Sequence, residues 1–143
     1  MTRRFVLEAT GSFALDDAEM PPYMIHIVVF DTTARFHEAL KRVNGYTDEE
    51  VKDVGGTFTP AKSPGRNNQI GVIRLSAEML YRNSIIHEAI HAAVLTTQTF
   101  YGCNPLRLYT TGSGPREEFL AYAAASMAHQ MLEVLADDIV EDD

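Results

Sequence analysis

Residues 85–95 read Ile85-Ile86-His87-Glu88-Ala89-Ile90-His91-Ala92-Ala93-Val94-Leu95, and the rest of the chain is organised around them. Alanine and aliphatic residues surround the polar ones and proline is absent, which predicts an α-helix. Residues four apart lie on one face of a helix, so His87 and His91 can direct two imidazole rings at one metal ion. Glu88 lies about 100° around the helix from His87, where it can reach a water molecule on the metal without binding the metal itself.

The residue types in this motif favour zinc, which accepts imidazole nitrogen and keeps a fourth position open when three protein groups bind it. The spacing His-Glu-x-x-His is the pattern of zinc hydrolases in which the glutamate is the general base. The alternative is a core helix with two hydrogen-bonded histidines and a surface glutamate. Apolar neighbours predict that the helix is largely buried: Ile86, Ala89, Ile90, Ala93 and Val94. Each histidine would then need its own polar partner, whereas one shared metal satisfies both.

Length and composition indicate a globular protein. The chain has 143 residues, 45% of them hydrophobic, and we treat 1–143 as one domain with a poorly defined N-terminal segment (1–22) and an acidic tail (137–143). No apolar run is long enough to span a bilayer, so we expect no membrane partner. The single cysteine, Cys103, excludes an internal disulfide and fits a reducing compartment. We therefore expect a cytoplasmic protein.

The charge pattern argues against a nucleic-acid partner. Twelve basic and 20 acidic residues give a net charge of −8. Five of the acids lie in the tail, so the rest of the chain carries 12 basic against 15 acidic residues and no basic surface is evident. We expect the tail to be a solvated helix end that frays.

The order of the remaining segments predicts an α+β fold with a small mixed sheet. Thr32 or Thr33 and Gly45 bound a first helix, and Thr47 to Glu50 form a capping box for a short helix to about Val54. Pro60 indicates an edge position or a strand end in its segment, and His26 is expected to be a hydrogen-bonded core histidine. The predicted strands are 5–10, 23–30, 57–61 and 69–75; the motif helix starts at Ser76 or Asn83, a loop covers 98–114, and a last helix runs from Pro115 to about Asp137.

A third protein ligand is usual in a hydrolytic zinc site, and the residue pattern alone does not decide which side chain provides it. Cys103 is one candidate; Glu117 and Glu118, at the start of the last helix, are the others. Glu117 also fits a capping box. Glu118 shares a helix face with Tyr122, Ala125 and His129, a polar stripe expected of a helix beside a catalytic cleft.

The motif with a downstream glutamate resembles the gluzincin metallopeptidases, in the compact form of small metallopeptidases from phages and prophages. In that group an aromatic residue often follows the ligand glutamate at the fourth position and a small residue at the fifth; Glu118, Tyr122 and Ala123 match this and Glu117 does not. The resemblance covers about residues 70–128. It implies a minimal zincin-like fold, one zinc ion bound by His87, His91 and Glu118, and a strand at 70–75 that forms the sheet edge above the cleft.

The resemblance also implies hydrolysis of a peptide or protein substrate, with Glu88 taking a proton from water and passing it to the leaving amine. Where thermolysin has an aspartate that supports a ligand histidine, this chain has Tyr122, whose hydroxyl can do the same. Donors to the developing oxyanion are expected from the loop and the following helix: Tyr101, Arg107, Tyr109 and Arg116.

The alternative function is a non-enzymatic zincin-like protein that binds a partner and whose zinc is structural. A closed structural site uses four protein ligands, and the fourth would come from Cys103, His26 or His129. Glu88 favours the enzyme, because a structural site has no use for a base at that position.

Overall fold

The computed structural model of the chain describes residues 2–8, 21–102 and 114–140, and for 114–118 it describes the backbone alone. The described strands and α-helices form an α+β arrangement, which confirms the predicted fold class. The elements are β1 (Arg3–Glu8), β2 (Met24–Phe30), α1 (Thr33–Asn44), α2 (Asp48–Val51), β3 (Gly56–Pro60), β4 (Gln69–Ser76), α3 (Arg82–Tyr101) and α4 (Gly114–Val134).

Short-range signals set the ends of the first two helices. The Thr32 side chain accepts a hydrogen bond from the Arg35 N–H and caps α1, and Gly45 ends that helix with a left-handed φ of 70°. Thr47 and Glu50 form the reciprocal capping box of α2. These features confirm the predicted boundaries, except that α2 ends at Val51 rather than near Val54.

The strands form one mixed sheet in the order β1-β2-β4-β3. β2 and β4 are parallel, and each outer strand pairs antiparallel with its neighbour. β4 is therefore an interior strand, and the expectation that it forms the sheet edge is wrong. The strand at this edge of the sheet is β3, which returns beside β4 as its hairpin partner, and β1 forms the other edge. Pro60 is the last residue of β3, where a missing N–H does little harm to the ladder.

The main core lies between one face of the sheet and helices α3 and α4. Side chains that alternate along the strands point into it; they are Leu7, Ile25, Ile27, Val29, Ile73 and Leu75. Helix α1 covers the opposite face, where Phe36, Leu40 and Val51 form a second, smaller cluster.

Helix α3 is rotated relative to the prediction. Ile90 is 47% exposed and Ile86 and Val94 are only half-buried. The helix also extends into the first residues of the predicted loop, as far as Tyr101, and is capped by Gly102. Three threonines near its end donate their hydroxyls to carbonyls four residues earlier, so they need no partner outside the helix. The buried residues of α3 are Ile85, Glu88, Ala89, Ala92, Ala93, Thr96 and Thr97.

The C-terminal residues are held against the domain as far as Val140. Asp138 pairs with Arg3 at 2.6 Å, and the Val140 N–H donates to the carbonyl of Leu80 at 2.9 Å. The predicted frayed tail is therefore wrong for this part, and α4 itself stops at Val134. The side chains of Phe119, Ala123, Met127, Met131 and Leu135 are buried, whereas those of Leu120 and Ala124 are half-buried. Among the described helices, none has the length and apolar character needed to cross a bilayer.

Candidate metal centre

Two histidine rings converge on the exposed side of α3. The Nε2 atoms of His87 and His91 are 3.1 Å apart, and the ring planes are inclined by 73°. Two imidazoles on a tetrahedral zinc ion, with the usual zinc–nitrogen length, have nitrogens about 3.3 Å apart. The spacing thus suits a shared metal, although one proton shared between the rings gives a similar distance.

Exposure changes the reason for expecting a metal. Both His87 and His91 are exposed, so water can satisfy their nitrogens. The inference that burial forces them to share a metal is therefore wrong. Support for a metal comes instead from the convergence of the two Nε2 atoms and from the carboxylate beside them.

That carboxylate belongs to Glu88, which is only 5% exposed. It lies against the backbone of β3: a Cβ added to Gly56 would be 3.2 Å from Glu88 Cγ and 3.4 Å from Oε2. Burial raises the pKa of Glu88, and the neighbouring charges of His87 and His91 oppose this to a smaller extent. The structure is thus the reverse of the alternative with buried histidines and a surface glutamate, because the histidines are exposed and the glutamate is buried. Since Gly56 has no side chain, the carboxylate can occupy the space beside it.

His87, Glu88 and His91 form a group that can hold a metal ion. Each offers one ligand atom, and the three atoms lie within 4.8 Å of one another. Imidazole nitrogen with a carboxylate oxygen suits zinc and several other divalent transition metals. The described chain thus contains a group that can hold a metal ion, and within it Glu88 could act either as a ligand or as a base beside the metal.

A cavity of about 500 Å³ lies between α3 and the edge strand β3. A second cavity of about 400 Å³ adjoins it on the other side of Glu88, and both include Val54, Gly56, His87 and Glu88 in their walls. Together they form a cleft along β3 with the metal-binding group near its middle. Thr57 also lines the larger cavity, and its buried hydroxyl has no hydrogen-bond partner among the described residues.

The other predicted site residues are not brought to this cleft by the described structure. Tyr122 is 50% exposed on α4 and does not line either cavity. Glu117, Glu118 and Arg116 lie in the first turns of α4, and their side chains fall outside the description. Cys103, Arg107 and Tyr109 lie outside the described residues altogether.

Packing at the start of α4 bears on Glu118. The ring of its neighbour Phe119 stacks on Phe100 at a centroid distance of 5.0 Å. Phe100 follows His91 by nine residues, which is about 13 Å of helix rise. The start of α4 therefore packs near the C-terminal end of α3, about 13 Å along the helix from His91. This packing does not support Glu118 as the third ligand, which stays a prediction.

Two candidates for a fourth ligand lie elsewhere. His26 is half-buried in β2 and hydrogen-bonds to Gln69, which confirms its bonding but not its core position. His129 is exposed and lies 3.4 Å from a carboxylate oxygen of Glu133. The sequence analysis did not identify Gly56 and Thr57 as parts of the site. The residues around Gly55 and Gly56 in the sequence do not indicate which distant side chains pack against them.

Comparisons with known protein families, with curated proteins and with solved structures find no match. A function for this chain therefore rests on the residues of the cleft and on their geometry.

Proposed function

We propose that the protein is a zinc-dependent metallopeptidase that hydrolyses peptide bonds. The observation that carries the proposal is the convergence of the His87 and His91 Nε2 atoms beside a buried carboxylate, midway along a cleft. The resemblance of the motif to gluzincins supports it independently of the structure. The single cysteine suits the reducing cytoplasm, where we place the protein.

In this proposal His87 and His91 bind zinc through their Nε2 atoms, and Glu118 supplies the third ligand. Zinc bound there would polarise a water molecule and lower its pKa towards neutrality. The exposed position of both rings keeps the remaining positions open to water and substrate.

Glu88 acts as the general base rather than as a ligand. Its carboxylate takes a proton from the attacking water and then delivers it to the amine that leaves. Burial favours the neutral form of the side chain, so it eases the uptake of that proton. Packing against Gly56 holds the carboxylate in one place between the two ends of the cleft.

The substrate is an extended peptide that adds to the outer edge of β3. Among the described strands, β3 pairs with β4 on one side and with none on the other, so its free N–H and C=O groups can bind a peptide backbone. Cavities on both sides of Glu88 can receive side chains on both sides of the cleaved bond.

Metal content and turnover in matched variants test the proposal. Protein purified without added zinc should contain one zinc ion per chain, and His87→Ala or His91→Ala should lose it. Glu88→Gln should keep the zinc while hydrolysis in an unstructured peptide library falls by roughly two or more orders of magnitude, the usual contribution of a general acid–base group.

Two comparisons separate the possible failures. If Glu88→Gln loses zinc as His87→Ala does, Glu88 is a ligand and its assignment as base is wrong. Glu118→Gln should weaken zinc binding far more than Glu117→Gln, and the reverse result would move the ligand to Glu117. A zinc-loaded wild type that cleaves no peptide in a broad library favours the partner-binding alternative instead.

A further inference from the structure

A cluster of arginines lies on the face of the sheet that α1 covers, opposite the face that packs on α3. In the strand register Arg4 of β1 stands beside Val28 of β2, and Val28 stands beside Arg74 of β4. Cross-strand neighbours share a face of the sheet, so the two arginines flank Val28 in one row. Arg42, in the last turn of α1, completes the group from above.

These three arginines surround a cavity of about 300 Å³. Its remaining walls are mostly apolar, so the cavity has a cationic rim and an apolar floor. The other lining residues are His26, Val28, Phe30, Ala39, Val43 and Val72. A small molecule with an anionic group and an apolar body matches both parts.

No described carboxylate pairs with this group, although the chain has 20 acidic residues against 12 basic ones. Arg3 pairs with Asp138 and Arg35 with Asp31, but none of Arg4, Arg42 and Arg74 has a carboxylate oxygen within 4.0 Å in the described residues. The one described hydrogen bond from Arg74 goes to the neutral hydroxyl of Thr59. Burial and then the charges of Arg4 and Arg42 lower the pKa of Arg74, as expected where like charges face one another.

We propose that this cavity binds the phosphate group of a small phosphate monoester, with the organic part of the ligand on the apolar floor. Guanidinium groups donate paired hydrogen bonds that match phosphate oxygens. A monoester carries close to two negative charges at neutral pH, so it offsets three facing cations better than a single carboxylate does. The small cavity and the acidic chain disfavour a nucleic acid, which needs an extended basic surface. This site does not depend on the proposed peptidase activity.

Binding of phenyl phosphate, inorganic phosphate and benzoate at constant ionic strength tests the proposal. Calorimetry gives the affinity, and NMR of the arginine Nε–H groups locates the binding. Phenyl phosphate should bind about tenfold or more tightly than benzoate, because it makes additional charged hydrogen bonds. Phosphate also binds metals, so the titration is repeated in His87→Ala, where the affinity should be unchanged.

Variants of the exposed arginines provide the contrast. Arg4→Gln and Arg42→Gln should each weaken phenyl phosphate binding about tenfold or more. The matched control is Arg66→Gln, which removes the same charge from the exposed turn before β4 and should leave binding within about twofold.

Four results would overturn the proposal. Equal weakening by Arg66→Gln would reduce the effect to overall charge. Benzoate binding as tightly as phenyl phosphate would exclude a phosphate site. Absence of saturable binding to the wild type would refute the proposal. Binding that is lost in His87→Ala, and that causes no shift of the arginine signals, would show that the ligand does not bind in this cavity.

Discussion

Replacing Gly56 with alanine measures how tightly the edge strand packs against Glu88. The new methyl group would lie 2.9 Å from Leu75 Cδ2 and 3.2 Å from Glu88 Cγ. Leu75 is fully buried and Glu88 is nearly so, so neither side chain can move away freely. Gly55 is a matched control, because the nearest atom to its added Cβ is Met79 Cε at 3.4 Å, an ordinary contact. Neither glycine has a positive φ, so backbone strain does not separate the two variants.

The expected difference follows from two opposing effects. Overpacking of a filled site costs about 1–3 kcal/mol. Glycine-to-alanine changes at compatible backbone positions stabilise by about 0.4–1 kcal/mol through the unfolded state. Both variants gain the second effect and only Gly56→Ala suffers the first, so it should be about 1–3 kcal/mol less stable than Gly55→Ala. For a chain of this size that is a difference in Tm of roughly 3–9 °C.

Thermal unfolding of the metal-free variants, followed by circular dichroism, measures this difference. A zinc titration of the same samples should show little change, because the three atoms nearest the added methyl group belong to Leu75 and Glu88 and not to His87 or His91. Hydrolysis by Gly56→Ala should fall, because the methyl group displaces Glu88. Equal Tm values for the two variants would refute the packing of Leu75 and Glu88 around Gly56 as described.

Three further predictions test other parts of the structure. Thr57→Val removes a buried hydroxyl without a described partner, so urea unfolding should show a gain of about 1 kcal/mol; a loss would reveal a hidden partner. Ile85→Ala should cost about 2–5 kcal/mol and Ile90→Ala under about 1 kcal/mol, whereas equal costs would restore the helix face predicted from sequence. Hydrogen bonds from Thr47 hold the pKa of Glu50 below its ordinary value; NMR titration should show this, and the stabilisation by the capping box should fade as pH falls through that lowered pKa. A Glu50 pKa at its ordinary value in the native chain would contradict the hydrogen bond from the Thr47 backbone N–H to the Glu50 carboxylate, and with it the capping box.

Features that depend on residues a few positions apart were predictable. Thr32 and Gly45 fix the two ends of α1, and Thr47 with Glu50 fixes the start of α2, through hydrogen bonds within about one helical turn. The spacing of His87 and His91 likewise settles that their rings meet.

Features that depend on distant segments were not predictable. The sheet edge is formed by β3 rather than β4. The order of the strands depends on which segments pair with one another, and the apolar content of a single strand does not indicate its partners. Pro60 gave the one local indication. Burial of Glu88 depends on Gly56, which is 32 positions earlier and reaches it only when β3 packs beside α3. Ile90 was assigned to the core because apolar character alone does not tell which side of a helix meets the sheet.

The position of β3 at the sheet edge gives the two parts of the candidate site, the histidine pair and the buried Glu88 carboxylate, different local stabilities. Edge strands bonded on one side open more readily than the strands inside a sheet, and amide hydrogen exchange reports such openings. When β3 opens, Glu88 is hydrated, while His87 and His91 keep their spacing because one helix carries both. The capacity to hold an ion should therefore persist through fluctuations that interrupt the protected surroundings of the carboxylate. Amides of β3 should exchange faster than those around residues 87–91, and a bound extended peptide should slow the β3 amides selectively.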